Sequence, residues 1–107
     1  MSLKNALIHI SPEEYSWISA ILQKQLAPSV EVLVFGSRVK GGRVKPYSDL
    51  DLAIHADHKL SFSELAGLQE AFAESNLPYR VDVVDFLSVS PEFQKIILAS
   101  SEVLKWR

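Results

Sequence analysis

The stretch VLVFGSRVKGGRVKPYSDLDLAIH, Val32 to His55, decides how this chain is read. It opens on an apolar run, Val32 to Phe35, with no polar alternation, as expected of a central strand covered on both faces. Gly36-Ser37 follow at once, and then eleven mostly basic and small residues. Asp49-Leu50-Asp51 lead into a second apolar run. From Asp49 to His55 the residues alternate, with Leu50, Leu52 and Ile54 on one face and Asp49, Asp51, Ala53 and His55 on the other. The spacing predicts two strands joined by a hairpin-like link, because the connection is short for a parallel crossover.

A glycine after a buried strand lets the backbone turn tightly and approach a ligand closely. A helix N-terminus just beyond it presents unpaired N–H groups and the positive end of a dipole to phosphate, and the Ser37 hydroxyl adds a donor. A plain strand-ending turn capped by Ser37 accounts for the same two residues, so the carboxylates decide between the readings. Asp49 and Asp51 lie two apart on a strand, on one face, with Cα atoms ~6–7 Å apart. Two carboxylates placed so repel unless a cation lies between them. Hard oxygen ligands, few in number, suit Mg²⁺, which takes substrate phosphates as further ligands. Two such ions ~3.5–4 Å apart activate an attacking oxygen and steady a leaving pyrophosphate. The competing reading is a strand edge with its polar residues outward.

Asp82 stands in the run Val81-Asp82-Val83-Val84-Asp85. Its parity sets it with Arg80, Val84 and Phe86, and Asp85 has the opposite parity and is the weaker candidate. An unpaired charge on a buried strand is costly. Asp82 is therefore either a third carboxylate facing the first two, as ligand or as proton acceptor, or the partner of Arg80. Arg38, Lys40, Arg43 and Lys45 form a basic loop before the carboxylate pair. Such cations reach triphosphate oxygens, and Arg38, nearest Ser37, is the first candidate. His55 shares a face with Asp51 but lies ~13 Å along the strand, too far for a common metal. His9 and His58 read as loop residues, and no Ser/His/Asp triad can be argued.

Outward from this stretch the punctuation is regular. Ser11-Pro12-Glu13-Glu14 begins a helix with a cap, a first-position proline and a capping box, and Pro28 ends it. Tyr15, Ile18, Leu22 and Leu26 recur on one stripe, widened by Trp17 and Ile21. Arg38 to Lys40 fit a short helix stopped by Gly41-Gly42. Ser61 to Glu64 is a second capping box, ahead of a helix carrying Leu65, Leu68 and Phe72. Tyr79 to Phe86 reads as the third strand, and Ser90-Pro91-Glu92 opens a last helix with Phe93, Ile96 and Ile97. Residues 100–107 fit either an extension of that helix or a short strand through Val103-Leu104. Tyr15, Trp17, Phe72 and Phe93 read as core. The predicted fold is α/β (α+β), a small mixed sheet flanked by helices.

The length of 107 residues gives room for one domain, not two, so 1–107 is read as a single domain. A net charge of −2 excludes a global case for nucleic acid or acidic membranes, and no direct nucleic-acid binding is expected. The absence of cysteine excludes disulfides, thiolate nucleophiles and Cys-based zinc sites, and fits a cytoplasmic protein. No apolar run approaches the ~18 residues of a membrane helix, and no secretory signal is visible.

Phe35-Gly36-Ser37-Arg38, Tyr47-Ser48-Asp49-Leu50-Asp51-Leu52-Ala53-Ile54 and Arg80-Val81-Asp82-Val83-Val84 together resemble the nucleotidyltransferase superfamily of DNA polymerase beta. The likeness is closest to the minimal nucleotidyltransferases of bacteria and archaea, which consist of the catalytic core alone, and it runs from the Ser11 helix to the last helix. The resemblance implies Gly36 and Ser37 on the nucleotide phosphates. It implies Asp49 and Asp51 on Mg²⁺, and Asp82 as third carboxylate, ligand or base. It implies transfer of a nucleotidyl group, AMP from ATP above all, to a hydroxyl with release of pyrophosphate. Larger relatives carry a further domain that closes over nucleotide and acceptor, and this chain has no residues left for one. Minimal members pair with a small all-helical HEPN protein, so a homo- or hetero-oligomer and the role of antitoxin in a toxin–antitoxin pair are implied too. A non-catalytic subunit that binds nucleotide and neutralises its partner by contact is the alternative. Transfer to a small molecule is disfavoured by the missing acceptor domain.

Overall fold

A computed structural model of the chain describes residues 7–39 and 44–107. The Ser11 hydroxyl accepts the Glu14 N–H at 3.1 Å and the Glu14 carboxylate accepts the Ser11 N–H at 3.0 Å. This capping box starts α1, Pro12–Gln25. A second one, Ser61 with Glu64, starts α2, Phe62–Ala73. Ser90 caps α3, Pro91–Ser100, through the Phe93 N–H. All three helices begin where the cap-and-proline signals place them, because the caps satisfy N–H groups that have no partner inside the helix.

Between the helices lie β1, Glu31–Phe35, β2, Leu50–His55, β3, Val81–Asp85, and β4, Glu102–Val103. The sheet order is β3-β2-β1-β4. β1 runs antiparallel to β2 and to β4, and β2 runs parallel to β3 across α2. The sheet is thus mixed, with the expected antiparallel link between the first two strands. The C-terminal segment takes the strand alternative, one residue earlier than Val103-Leu104. It covers the outer edge of β1, which would otherwise expose its backbone polar groups.

Alternation along the strands sorts the interior into two layers. Val32, Val34, Leu50, Leu52, Ile54 and Val83 pack with Ile18 and Leu22 of α1 and with Leu68 and Phe72 of α2. On the opposite face Leu33, Ala53 and Phe86 pack with Ile97 of α3. Trp106, only 1% exposed, closes the first layer, and its carbonyl accepts the Gln23 side chain at 2.8 Å. Phe72 is core as expected, whereas Tyr15, Trp17 and Phe93 are only partly covered.

Two local expectations are corrected. The turn after β1 is a 3-10 helix over Gly36–Arg38, starting two residues before the short helix expected at Arg38 to Lys40. Lys40 to Arg43 lie outside the described residues. Tyr79, expected inside the third strand, precedes it and is buried against the first layer.

Trp106 supplies a concrete test of this arrangement. Replacing it with alanine removes a fully enclosed side chain and is expected to lower the unfolding free energy by about 3–5 kcal/mol. Urea denaturation of the Trp106→Ala variant measures this. A loss under about 1 kcal/mol would show that the C-terminal segment contributes little to the core.

Candidate active site

The register of the sheet builds the site. Asp51 of β2 stands directly opposite Asp82 of β3 on one side and opposite Phe35 of β1 on the other. Neighbouring strands lie about 4.8 Å apart, so Asp51 and Asp82 are abreast on the same face. That face is the one carrying Ala53 and Val84, the α3 side. Asp49 stands one residue before β2, two before Asp51, and its neighbour Leu50 donates its N–H to the Arg80 carbonyl at 2.9 Å. The three aspartates converge. Arg80 feels all three carboxylates, which raise its pKa, with the Asp82 hydrogen bond as the largest cause. Asp82 therefore takes both placements that its sequence allowed, beside the other carboxylates and against Arg80. It accepts Arg80 Nε at 3.0 Å and Nη2 at 2.8 Å through Oδ1, and it also stands beside Asp51.

Asp51 bears the electrostatic load. Burial first, then the charges of Asp82 and Asp49, push its pKa up to about 6, and Arg80 opposes them. An acidic group held in this way is a site short of positive charge. Hard oxygen ligands on two adjoining strands suit Mg²⁺, which needs only one or two carboxylates when phosphates and waters complete its octahedron. Among the described residues no group of three or more His, Cys, Asp or Glu forms a ready-made metal cage.

Gly36 has φ +80, in the left-handed region, and a Cβ built on it would collide with the Asp51 carboxylate. Glycine is required there twice over, for its backbone angle and for its closeness to the acid. Ser37 follows, partly exposed, and its hydroxyl makes no hydrogen bond among the described residues. A cleft of about 790 Å³ opens at Asp51, Asp82 and Arg80, walled by Phe35, Val84 and Phe93. Phe35 and Phe93 meet edge to face, with centroids 5.8 Å apart. The cleft falls within the size range of small-molecule sites.

Arg38 does not fit the role expected of it. It is 5% exposed, and its guanidinium donates to the carbonyls of Ser48 at 2.9 Å, His9 at 2.8 Å and Pro46 at 3.1 Å. It also lies over the Tyr79 ring, 3.7 Å from the centroid. With its donors turned onto the backbone it is not presented to a phosphate, and the expectation of a phosphate contact is corrected to a role inside the fold. Lys45 is exposed, and Lys40 and Arg43 fall outside the described residues. Asp85 lies on the opposite face from the cluster. It accepts the N–H groups of Leu60 and Leu87 and the Ser88 hydroxyl, so it holds turns. His55 packs on the Phe86 ring at 4.6 Å, away from the acidic row.

Three contributors were not legible in the sequence. Tyr79 read as a strand residue, Glu14 only as half of a capping box, and His9 as loop. The Tyr79 hydroxyl donates to Glu14 Oε1 at 3.0 Å, and burial followed by the Glu14 charge raises the Tyr79 pKa. These contacts span 65 and 29 positions of chain, and no local periodicity encodes them.

The raised pKa of Asp51 predicts a pH-dependent stability. Its folded-state pKa of about 6 stands above the ordinary aspartate value of 3.8, so ionisation penalises the fold. The penalty is absent below about pH 4, grows through pH 4–6 and is complete above. In EDTA, Asp51→Asn is expected to melt higher than the parent at pH 7.5. The gain is about 1–2 kcal/mol after discounting for partial exposure, and it vanishes at pH 3.5. Thermal melts across that range measure it, and equal melting temperatures at pH 7.5 would refute it.

Comparison with known proteins agrees with this geometry. The family described as Polymerase beta, Nucleotidyltransferase matches residues 17–107. The "Probable protein adenylyltransferase MntA" of Haemophilus influenzae is 49% identical over 92 residues, covering 86% of this chain and 79% of that protein. Among solved structures, a chain of a toxin–antitoxin with AMP-PNP superposes with a TM-score of 0.69 at 26% identity, over 87% of this chain and 73% of that one. A chain of the tri-AMPylated Shewanella oneidensis HEPN toxin in complex with MNT antitoxin gives a TM-score of 0.60 at 25% identity, over 87% and 73%. With three aspartates gathered beside a glycine bend and a match over nearly its whole length, the chain belongs to the polymerase beta nucleotidyltransferase family.

Proposed function

We propose that this chain is a Mg²⁺-dependent adenylyltransferase. It moves AMP from ATP to a hydroxyl on a small helical HEPN protein, as the antitoxin of a toxin–antitoxin pair. The observation that carries the reading is the register pairing of Asp51 with Asp82, with Asp49 two residues upstream and Gly36 pressed against the Asp51 carboxylate. The likeness to a protein adenylyltransferase and to the MNT–HEPN assemblies supports AMP as the group and a HEPN protein as the acceptor. In this reading residues 1–107 act as one catalytic unit, working in the cytoplasm where ATP is supplied.

In this reading the acceptor hydroxyl oxygen attacks the α-phosphorus. A new P–O bond forms, the bond to the bridging oxygen breaks, and pyrophosphate leaves. Asp82 is the carboxylate assigned to take the hydroxyl proton. Arg80 holds its Oδ1, and its Oδ2 makes no hydrogen bond among the described residues. Asp49 and Asp51 are the ligands assigned to Mg²⁺, which when bound neutralises the triphosphate and the departing pyrophosphate. The Gly36 backbone and Ser37 hydroxyl orient the phosphates, and the exposed Arg80 lies beside them. The cleft is open, and in this reading placing the acceptor falls to the partner.

One observation favours a second reading, a non-catalytic subunit that neutralises its partner by contact. Asp82 is already paired with Arg80, so a purely structural pair is also served by these residues. Incubation with labelled ATP, Mg²⁺ and a candidate HEPN partner separates the two. Label on the partner is expected, with Asp49→Asn or Asp51→Asn reducing it roughly 100-fold or more, the effect of several kcal/mol of lost charge stabilisation. Neutralisation of the partner that survives both substitutions would establish the contact reading instead. Gly36→Ala is expected to fall in the same class as the aspartate variants, because the added methyl displaces the Asp51 carboxylate.

A further inference from the structure

A buried cation is costly unless it is paired, and Arg38 makes no ion pair with a carboxylate among the described residues. All of its hydrogen bonds there go to backbone carbonyls, and all of these but that of His9 lie just before Asp49. The Nε bond reaches the carbonyl of Ser48, the peptide that carries the Asp49 nitrogen. The other guanidinium nitrogens take Pro46 and His9, with a longer contact of 3.5 Å to Lys45. The turn so held is tight in itself. Ser48 donates its N–H to the Lys45 carbonyl at 3.0 Å, and Lys45 donates its N–H to the Ser48 hydroxyl at 2.9 Å.

Asp49 needs this support. It lies outside the strand, and its side chain makes no hydrogen bond among the described residues. Its backbone is fixed on one side by Arg38 at Ser48 and on the other by the Arg80 carbonyl at Leu50. The two anchors are linked, because Tyr79, the ring under Arg38, is the residue before Arg80. Tyr79 is tied in turn through its hydroxyl to Glu14, whose Oε1 also accepts the Ser11 N–H. A chain of contacts therefore runs from the start of α1 through Tyr79 and Arg38 to the peptide in front of Asp49.

We propose that Arg38 is a positioning residue for nucleotide transfer: its guanidinium, seated on Tyr79, clamps the 45–48 turn and so sets where the Asp49 carboxylate stands. The inference rests on the reading of Asp49 as part of the transfer site. Only a planar fork reaches several carbonyls at once while lying flat on a ring, so lysine is not a substitute. A misplacement of about 1 Å in a reacting group is worth about 100-fold in rate.

Arg38→Lys in the full chain is the test, with two readouts. In the free protein in EDTA, amide hydrogen exchange over residues 44–50 is expected to rise about 10-fold while that of β1 is unchanged. In the label-transfer assay, kcat is expected to fall about 30- to 100-fold with KM for ATP held within about twofold. Added guanidinium chloride at low millimolar concentration restores part of the rate in Arg38→Ala, and methylammonium does not. Should the Arg38 variants not fold, Tyr79→Leu, which removes the platform, is expected to give the same exchange change and the same split. A rise in KM for ATP of about 10-fold with unchanged exchange would overturn the proposal and return Arg38 to the phosphates. Unchanged exchange with unchanged kinetics would overturn it as well. Failure of the parent chain to transfer label would sink the proposed function alone, since the exchange contrast needs no activity.

Discussion

Like charges held abreast on neighbouring strands repel, and the rest of this protein is arranged around tolerating that repulsion. Asp51 and Asp82 face each other across the parallel pairing of β2 with β3, with Asp49 close by. A stable fold has no use for such a row, and its burden falls on Asp51, whose carboxyl is pushed up to about 6. Arg80 relieves part of it from an exposed position. The remainder is compensated by the two apolar layers, which pin the strands in the one register that sets the carboxylates side by side. Stability given up at a site in favour of function is a common trade.

The surroundings of the acidic row divide into rigid and open parts. Behind it the sheet, α1 and α2 are closed over by aliphatic packing and by Trp106. In front of it lies a broad cleft with Phe35 and Phe93 as a wall. No segment among the described residues folds over that cleft. α3 covers its face thinly, burying only Ile97 while Ile96 and Leu98 stay 60% exposed. An open cleft beside paired carboxylates is the arrangement that the proposed transfer to an outside acceptor requires.

Arg38 shows how a residue can belong to a site without facing it. Its place one residue after Gly36-Ser37 suggested a phosphate contact, by nearness in sequence. The 3-10 turn over Gly36–Arg38 instead sends the side chain inward, toward Tyr79 and the loop that returns to Asp49. Tyr79 owes its burial to the same geometry. Outside the strand it turns from the sheet to α1, where its hydroxyl finds Glu14.

The helix starts, the strands and the face shared by Asp49 and Asp51 were legible without coordinates, because each depends on neighbours within a few residues. A serine caps the helix it precedes, and alternate residues of a strand share a side. The acidic cluster was half legible: parity placed Asp82 with Arg80 and Val84, but not beside Asp51. That took the parallel pairing of β2 with β3, a contact between segments separated by a whole helix. The strand at 102–103, the burial of Trp106 and the inward turn of Arg38 were decided only in three dimensions. Each depends on a partner far away in the chain, and local sequence carries no record of which distant surface a side chain will meet.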